Sequence, residues 1–266
     1  MSGAWLRALI AVARRDAHIL GSYKSTFYSR PAGVVFTLVL FYYVSRLVSV
    51  RRFGTPDAYF AFVAVGLVIY GLIRSSLDVP LLLREELVAG TYERLELSPA
   101  GATAGVVGML ITPFAYALAL AVFTLAVAGL AFGVDVRWST AWIGLPLGLL
   151  AALAFAPFAL LFCAITLAFK QAPGQSAVLP VLALVSGLYF PVALLPNYIR
   201  WLSVVQPLTP TVDLMRHVLI GSGLDDPVAL ELGRLAGFAI IGIPLAIALV
   251  SAARRFSRAR GTVLET

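Results

Sequence analysis

Residues 138–169 read WSTAWIGLPLGLLAALAFAPFALLFCAITLAF, without one acidic or basic side chain. A helix needs roughly 20 apolar residues to cross the hydrocarbon core of a bilayer. This stretch exceeds that length, and it is too long and too uniformly apolar for the core of a soluble domain. Working outward, the same property recurs from Leu97 to Val134, from Gln171 to Ile199 and from Leu235 to Ala253. Across the 266 residues, 61 % are hydrophobic and 12 % charged. A soluble domain carries about a quarter charged residues, so composition agrees with the runs. Backbone groups in lipid must be satisfied internally, by helices or a closed barrel. The period-2 alternation of a barrel is absent, which leaves helices.

The fold class is therefore an all-α polytopic membrane protein. Six transmembrane helices are expected, over about 31–50, 57–79, 102–132, 142–169, 175–195 and 229–253. Pro113, Pro157, Pro180 and Pro244 fall inside these spans, where neighbouring groups tolerate kinks. Ahead of them, residues 3–24 place Trp5, Leu6, Leu9, Ile10, Val12, Ala13, Ile19 and Leu20 on one half of a helix. Arg7, Arg14, Arg15 and His18 lie on the other half, with Asp16 breaking the pattern. Such a helix lies in the headgroup plane, against lipid or against protein. The arginines within Arg7–Arg15 break what would be the apolar region of a cleavable signal peptide.

Six spans put both termini on one side. With cytoplasmic termini, 12 basic residues lie inside and 7 outside, with Arg74 in a span. The positive-inside rule then favours both termini in the cytoplasm. The net charge of +7 reads as orientation and contact with anionic headgroups, not as nucleic-acid binding. One cysteine, Cys163, excludes an intrachain disulfide and a cysteine zinc cluster. The two histidines, His18 and His217, fall on opposite sides, so no shared metal site and no catalytic set is expected.

Between the second and third spans the character changes. Residues 83–101 read LREELVAGTYERLELSPAG and hold four of the 13 acidic residues: Glu85, Glu86, Glu93 and Glu96. Helix formers fill 81–89, Gly90 interrupts, Thr91 is placed to cap, and Ser98 and Pro99 end the helical stretch. The expectation is a short, stiff cytoplasmic helix or helix pair over 81–98. A second unusual block, Gly187–Gly221, holds Pro191, Pro196, Pro207 and Pro210 together with Tyr189, Phe190, Tyr198 and Trp201. Prolines this dense preclude one continuous spanning helix. Short broken helices over 196–222 are expected instead.

The first block, with Arg84-Glu85, Gly90-Thr91, Glu93-Arg94-Leu95 and Ser98-Pro99, resembles the cytoplasmic loop of ABC-2 type export permeases. The second, with Phe190-Pro191, Leu195-Pro196, Pro207 to Pro210, Asp213 and Arg216, resembles that family's stretch between spans five and six. Both occur in the expected order within a matching layout, so the resemblance covers nearly the whole chain, 1–266, as a single permease domain. It implies a coupling helix at 81–98, in which Arg84, Glu85, Glu86, Gly90, Thr91, Glu93, Arg94, Ser98 and Pro99 contact a separate ATPase subunit. It implies re-entrant helices near the outer leaflet and a second permease subunit, identical or not. It also implies an inner (cytoplasmic) membrane location and export of an amphipathic drug, lipid or lipid-linked glycan. ATP and Mg would belong to the partner. Independently, a P-loop requires Gly-Lys before Ser or Thr, and both lysines here follow aromatic residues, Tyr23 and Phe169.

The pathway candidates are Arg74, Asp78, Phe190, Pro191, Trp201, Asp213 and Arg216. Arg74 and Asp78 lie four apart on one helix face, either as an ion pair near a gate or as two groups snorkelling to inner headgroups. Trp201 and Tyr198 suit an interfacial aromatic belt or an exit path, while Phe190 is open. Asp213 and Arg216 are spaced to pair or to cap locally. The competing class is an ATP-independent secondary transporter or channel, which would show inverted repeats or midplane ionisable groups.

Overall fold

A computed structural model of the chain describes residues 3–22, 24–47, 54–97, 101–170, 175–224 and 226–259. Among the described residues 85 % are helical and none is in a strand. Five helical stretches have the length and apolarity to cross a membrane: Phe27–Leu47, Pro56–Val88, Gly101–Leu130, Gly144–Phe169 and Val228–Ser257.

Helix α1 (Gly3–Ser22) precedes α2 (Lys24–Leu47), whose membrane-length part is largely unburied by the rest of the chain. Helix α3 (Pro56–Val88) is the spine. Thr55 caps it, accepting the Ala58 amide at 3.2 Å, with Pro56 and Asp57 in the first turn. These are strong helix-start signals. At 33 residues it is about 50 Å long, well beyond the roughly 30 Å hydrocarbon core. The second span is expected over about 57–79, and α3 continues past it, through Pro80 to Val88. A turn at Ala89–Thr91 then leads into α4 (Tyr92–Glu96).

The expected third span is broken. Helix α5 (Gly101–Gly108) and α6 (Ile111–Leu130) flank Met109 and Leu110. Pro113 lacks an amide proton, and its ring collides with the carbonyl four residues back, at Met109. The break therefore sits where the proline puts it. After α7 (Trp138–Ala141), helix α8 (Gly144–Phe169) fills the fourth expected span. The fifth expected span, 175–195, is helical only over α9 (Gln175–Val185). Eleven residues make about 16 Å, short of a bilayer core. Ser186 and Gly187 end it, with Gly187 at φ +82°, before a 3₁₀ turn at Val192–Leu194. Helices α10 (Asn197–Val204) and α11 (Leu208–Ile220) follow as short pieces, as the prolines require, and α12 (Val228–Ala259) closes the chain.

The two largest buried clusters among the described residues lie toward opposite ends of α3. One joins Val12, Leu83, Tyr92, Leu95, Met109, Leu160, Leu167 and Val250 around the α3–α4 end. The other joins Ile69, Ile73, Phe155, Leu188, Leu208, Val212 and Leu235 around α11. Exposed apolar residues such as Phe36, Ile240, Ile241 and Leu245 cover the outside, the surface a bilayer solvates. Between helices in lipid, close packing and polar contacts drive association.

Candidate functional site

The α3–α4 segment projects beyond the span length and is clasped from two sides. Arg15 of α1 reaches Glu86 at 3.0 Å while also holding Asp16 at 2.8 Å. Thr91 donates its hydroxyl to the same Glu86 carboxylate, closing the turn in which Gly90 adopts φ +70°. On the other side Arg254 of α12 lies 3.6 Å from Glu96. Leu83, Tyr92 and Leu95 are buried beneath, so α4 is seated on the bundle. Burial pushes the Asp16 carboxyl up from its ordinary value, against the contact with Arg15, and the neighbouring Glu86 charge adds to the rise.

The sequence grouped four carboxylates in this segment, and the structure separates them. Glu86 and Glu96 turn inward to the terminal helices. Arg84, Glu85, Glu93 and Arg94 are exposed. Gly90 and Thr91 form the turn between the two helices. Ser98 and Pro99 lie outside the described residues. The expected amphipathic helix at the N-terminus packs on protein through Val12, and Thr112 of α6 donates to the Ala13 carbonyl at 2.9 Å. Leu6, Ile10 and Ile19 nevertheless stay exposed. The helix thus has one apolar strip for the bundle and another free to meet lipid.

Arg74 and Asp78 share α3 but do not pair with each other among the described residues. Asp78 pairs with Arg30 of α2 at 3.2 Å. Arg30 in turn lies over the Tyr116 ring, 5.6 Å from its centroid, and the Tyr116 hydroxyl donates to the Phe27 carbonyl. The Arg30–Asp78 contact spans 48 positions in sequence, and no local pattern marks it.

Near the start of α3, Arg216 organises a buried knot. Its guanidinium reaches Phe62 of α3, donating Nε and Nη2 to that carbonyl at 3.1 and 3.0 Å. Nη1 donates to the Gly187 carbonyl and Nη2 to the Leu188 carbonyl, each at 2.8 Å. The cation also stacks on the Phe62 ring, 3.3 Å from its centroid, and the residue is 3 % exposed. The charge of Asp213 acts favourably on it. Gly66 makes the approach possible, because a Cβ there would sit 2.6 Å from the Leu188 carbonyl oxygen. Phe190 and Pro191 continue from this knot, half-buried. Trp201 and Tyr198 of α10 point outward, 59 % and 77 % exposed, as a belt position demands.

The sequence offered no partners for Arg15, Arg30, Arg254 and Tyr189. The ring of Tyr189 stacks on Phe41 of α2 at 5.9 Å between centroids and 10° between planes.

Comparison with known proteins adds the last observation. The sequence model of the family described as ABC-2 type transporter matches residues 9–220. Nodulation protein J of Rhizobium meliloti (strain 1021) is 30 % identical over 115 residues, which is 43 % of this chain. The aligned stretch spans 44 % of that relative's length.

Proposed function

From the premise that the chain belongs to the ABC-2 type transporter family, as a multi-pass membrane permease, we propose that it is the transmembrane subunit of an exporter driven by a separate ATPase chain. The family implies the ATPase partnership. The observation that carries this reading is the division of charges at the end of α3. Glu86 and Glu96 hold the segment to α1 and α12, and Arg84, Glu85, Glu93 and Arg94 face outward on a helix too long for the bilayer.

A continuous helix transmits displacement along its axis, because each turn is hydrogen-bonded to the next. A push on α4 and the end of α3 therefore moves the whole of α3, including Phe62 at the Arg216 knot. In the proposed cycle, ATP closes the partner ATPase pair, the 81–98 segment is driven, and the outer helices α10 and α11 shift with α3. Two permease chains form the path between them. ATP and Mg are bound by the partner, and this chain supplies no catalytic residue. Both termini lie in the cytoplasm, and α9 with the pieces after it takes the place of a fifth span. The whole chain acts as one domain in the inner membrane, and the cargo is amphipathic.

Reconstitution tests this. The permease, co-expressed with a candidate ATPase subunit, is placed in vesicles and substrate-stimulated ATP hydrolysis is measured. Replacing both Glu85 and Glu93 with alanine is expected to abolish most of the stimulation while the subunits' own folds persist. Cargo movement by the permease alone, without nucleotide, would instead favour the secondary-transporter reading.

A further inference from the structure

A cavity of about 580 Å³ opens between α2, α3 and α6. At its cytoplasmic end stand Glu85 and the Arg30–Asp78 pair. One helical turn deeper along α3, Arg74 lines the wall. Deeper still the lining becomes apolar and aromatic, through Val34 and Leu67 to the stacked pair of Phe41 and Tyr189.

Arg74 is the group the fold leaves unexplained. The acid nearest to it along the helix, Asp78, is engaged by Arg30 at 3.2 Å. Arg74 is exposed to the cavity and has no ion-pair partner among the described residues. A charged group inside a spanning helix is costly unless it meets an opposite charge. Arg74 lies about 27 Å along the helix from Pro56, which puts it near the inner edge of the hydrocarbon core. The anion at that depth is a phosphate, and the planar guanidinium fork fits two phosphate oxygens at once. Glu85 at the mouth repels a free anion arriving from water, whereas an amphiphile sliding in along the inner leaflet passes between α2 and α3. The apolar and aromatic wall beyond Arg74 then receives its tail.

We infer that the α2–α3–α6 cavity binds the phosphate headgroup of an amphiphile, with Arg74 as the anion-holding residue and the Phe41–Tyr189 end taking the apolar body. The headgroup comes either from a resident inner-leaflet lipid or from cargo. The site shares Arg74 and Asp78 with the proposed pathway, but its test contains no nucleotide and no ATPase, so each idea fails separately.

The full chain is purified in dodecyl maltoside, and binding is followed by native mass spectrometry with three probes: dodecyl phosphate, dioleoyl phosphatidylglycerol and dodecyltrimethylammonium. Wild type is expected to bind dodecyl phosphate saturably and dodecyltrimethylammonium far more weakly. Arg74→Gln is expected to bind dodecyl phosphate about tenfold more weakly, the loss of one charge-assisted contact. Arg255→Gln, a change at an exposed arginine away from the cavity, serves as the control and retains binding. Displacement of dodecyl phosphate by phosphatidylglycerol would assign the headgroup to lipid, and failure to displace it would assign the site to single-chain cargo. Either result supports a phosphate site. Equal binding by Arg74→Gln, or equal affinity of wild type for the cationic probe, would overturn it. The second criterion needs no variant, so misfolding of Arg74→Gln does not protect the idea.

Discussion

The two ends of α3 are fastened by opposite means. At the α4 end, Glu86 and Glu96 meet Arg15 and Arg254 through partly exposed side-chain pairs. At the other end, one buried arginine ties Phe62 to the 187–188 turn through backbone carbonyls. Partly exposed ion pairs contribute about 0–1 kcal/mol each and re-form readily. A buried charge stripped of its partners costs about 3–5 kcal/mol, so its contacts stay closed. The difference teaches which end is built to yield. Contacts at the α4 end can open and re-form, as the proposed push from an ATPase requires, while the knot ties the 187–188 turn and α11 to α3.

Substitutions can break this contrast, and the largest effect is expected at the knot. Arg216→Met leaves three backbone carbonyls without their donor in a buried site. It should destabilise the permease by about 3–5 kcal/mol, seen as a large fall in thermal midpoint in detergent or loss of monodisperse protein. Next comes Gly66→Ala, whose methyl would press on the Leu188 carbonyl oxygen. Overpacking of this kind costs about 1–3 kcal/mol, and the same melting assay reads it.

At the α4 end, Arg15→Gln removes the contact with Glu86. A loss of about 1 kcal/mol or less is expected, with greater proteolysis of the 89–97 turn as the sharper readout. The smallest effect is expected for Asp16→Asn. Because burial raises the Asp16 pKa, its protonated form favours the folded state, and stability from this group grows as pH falls through the raised pKa. The amide mimics that form, so the thermal midpoint at neutral pH should hold or rise slightly, and its pH dependence on the acid side should flatten. A contrast in the reverse order, with Arg15→Gln more damaging than Arg216→Met, would undo the assignment of rigid and yielding ends.

Much of the architecture was legible before any coordinates. Charge-free runs about as long as a bilayer core or longer have few alternatives to spanning helices, and the runs 97–134, 138–169 and 235–253 became three of them. The prolines of 191–210 marked α10 and α11 as short pieces, whereas Pro113, expected only to kink the third span, sits at the α5–α6 break. What escaped depends on distant partners. The 175–195 run is apolar enough to span, yet its helix stops at Val185, and the following turn is fixed by an arginine almost 30 positions later. The expected boundary between the 57–79 span and the 81–98 helix is absent as well, because α3 runs through Pro80 to Val88. Within the candidate site, the inward turn of Glu86 and Glu96 had a signal that went unused. Glu86 follows Leu83 by three and Glu96 follows Tyr92 by four, so each shares a face with a buried residue. Arg30 opposite Asp78 carried no such signal.

The central claim is that the outward charges at the end of α3 are the seat of a separate ATPase. Cys163 is fully buried, so a cysteine placed at position 85 or 93 is the only accessible thiol among the described residues. Cross-linking of Glu85→Cys and Glu93→Cys in native membranes, with the ATPase co-expressed, tests the claim directly. The account predicts efficient capture of the ATPase at both positions and little at a cysteine replacing Trp201. No capture at 85 and 93, or capture equal to that at 201, would contradict it.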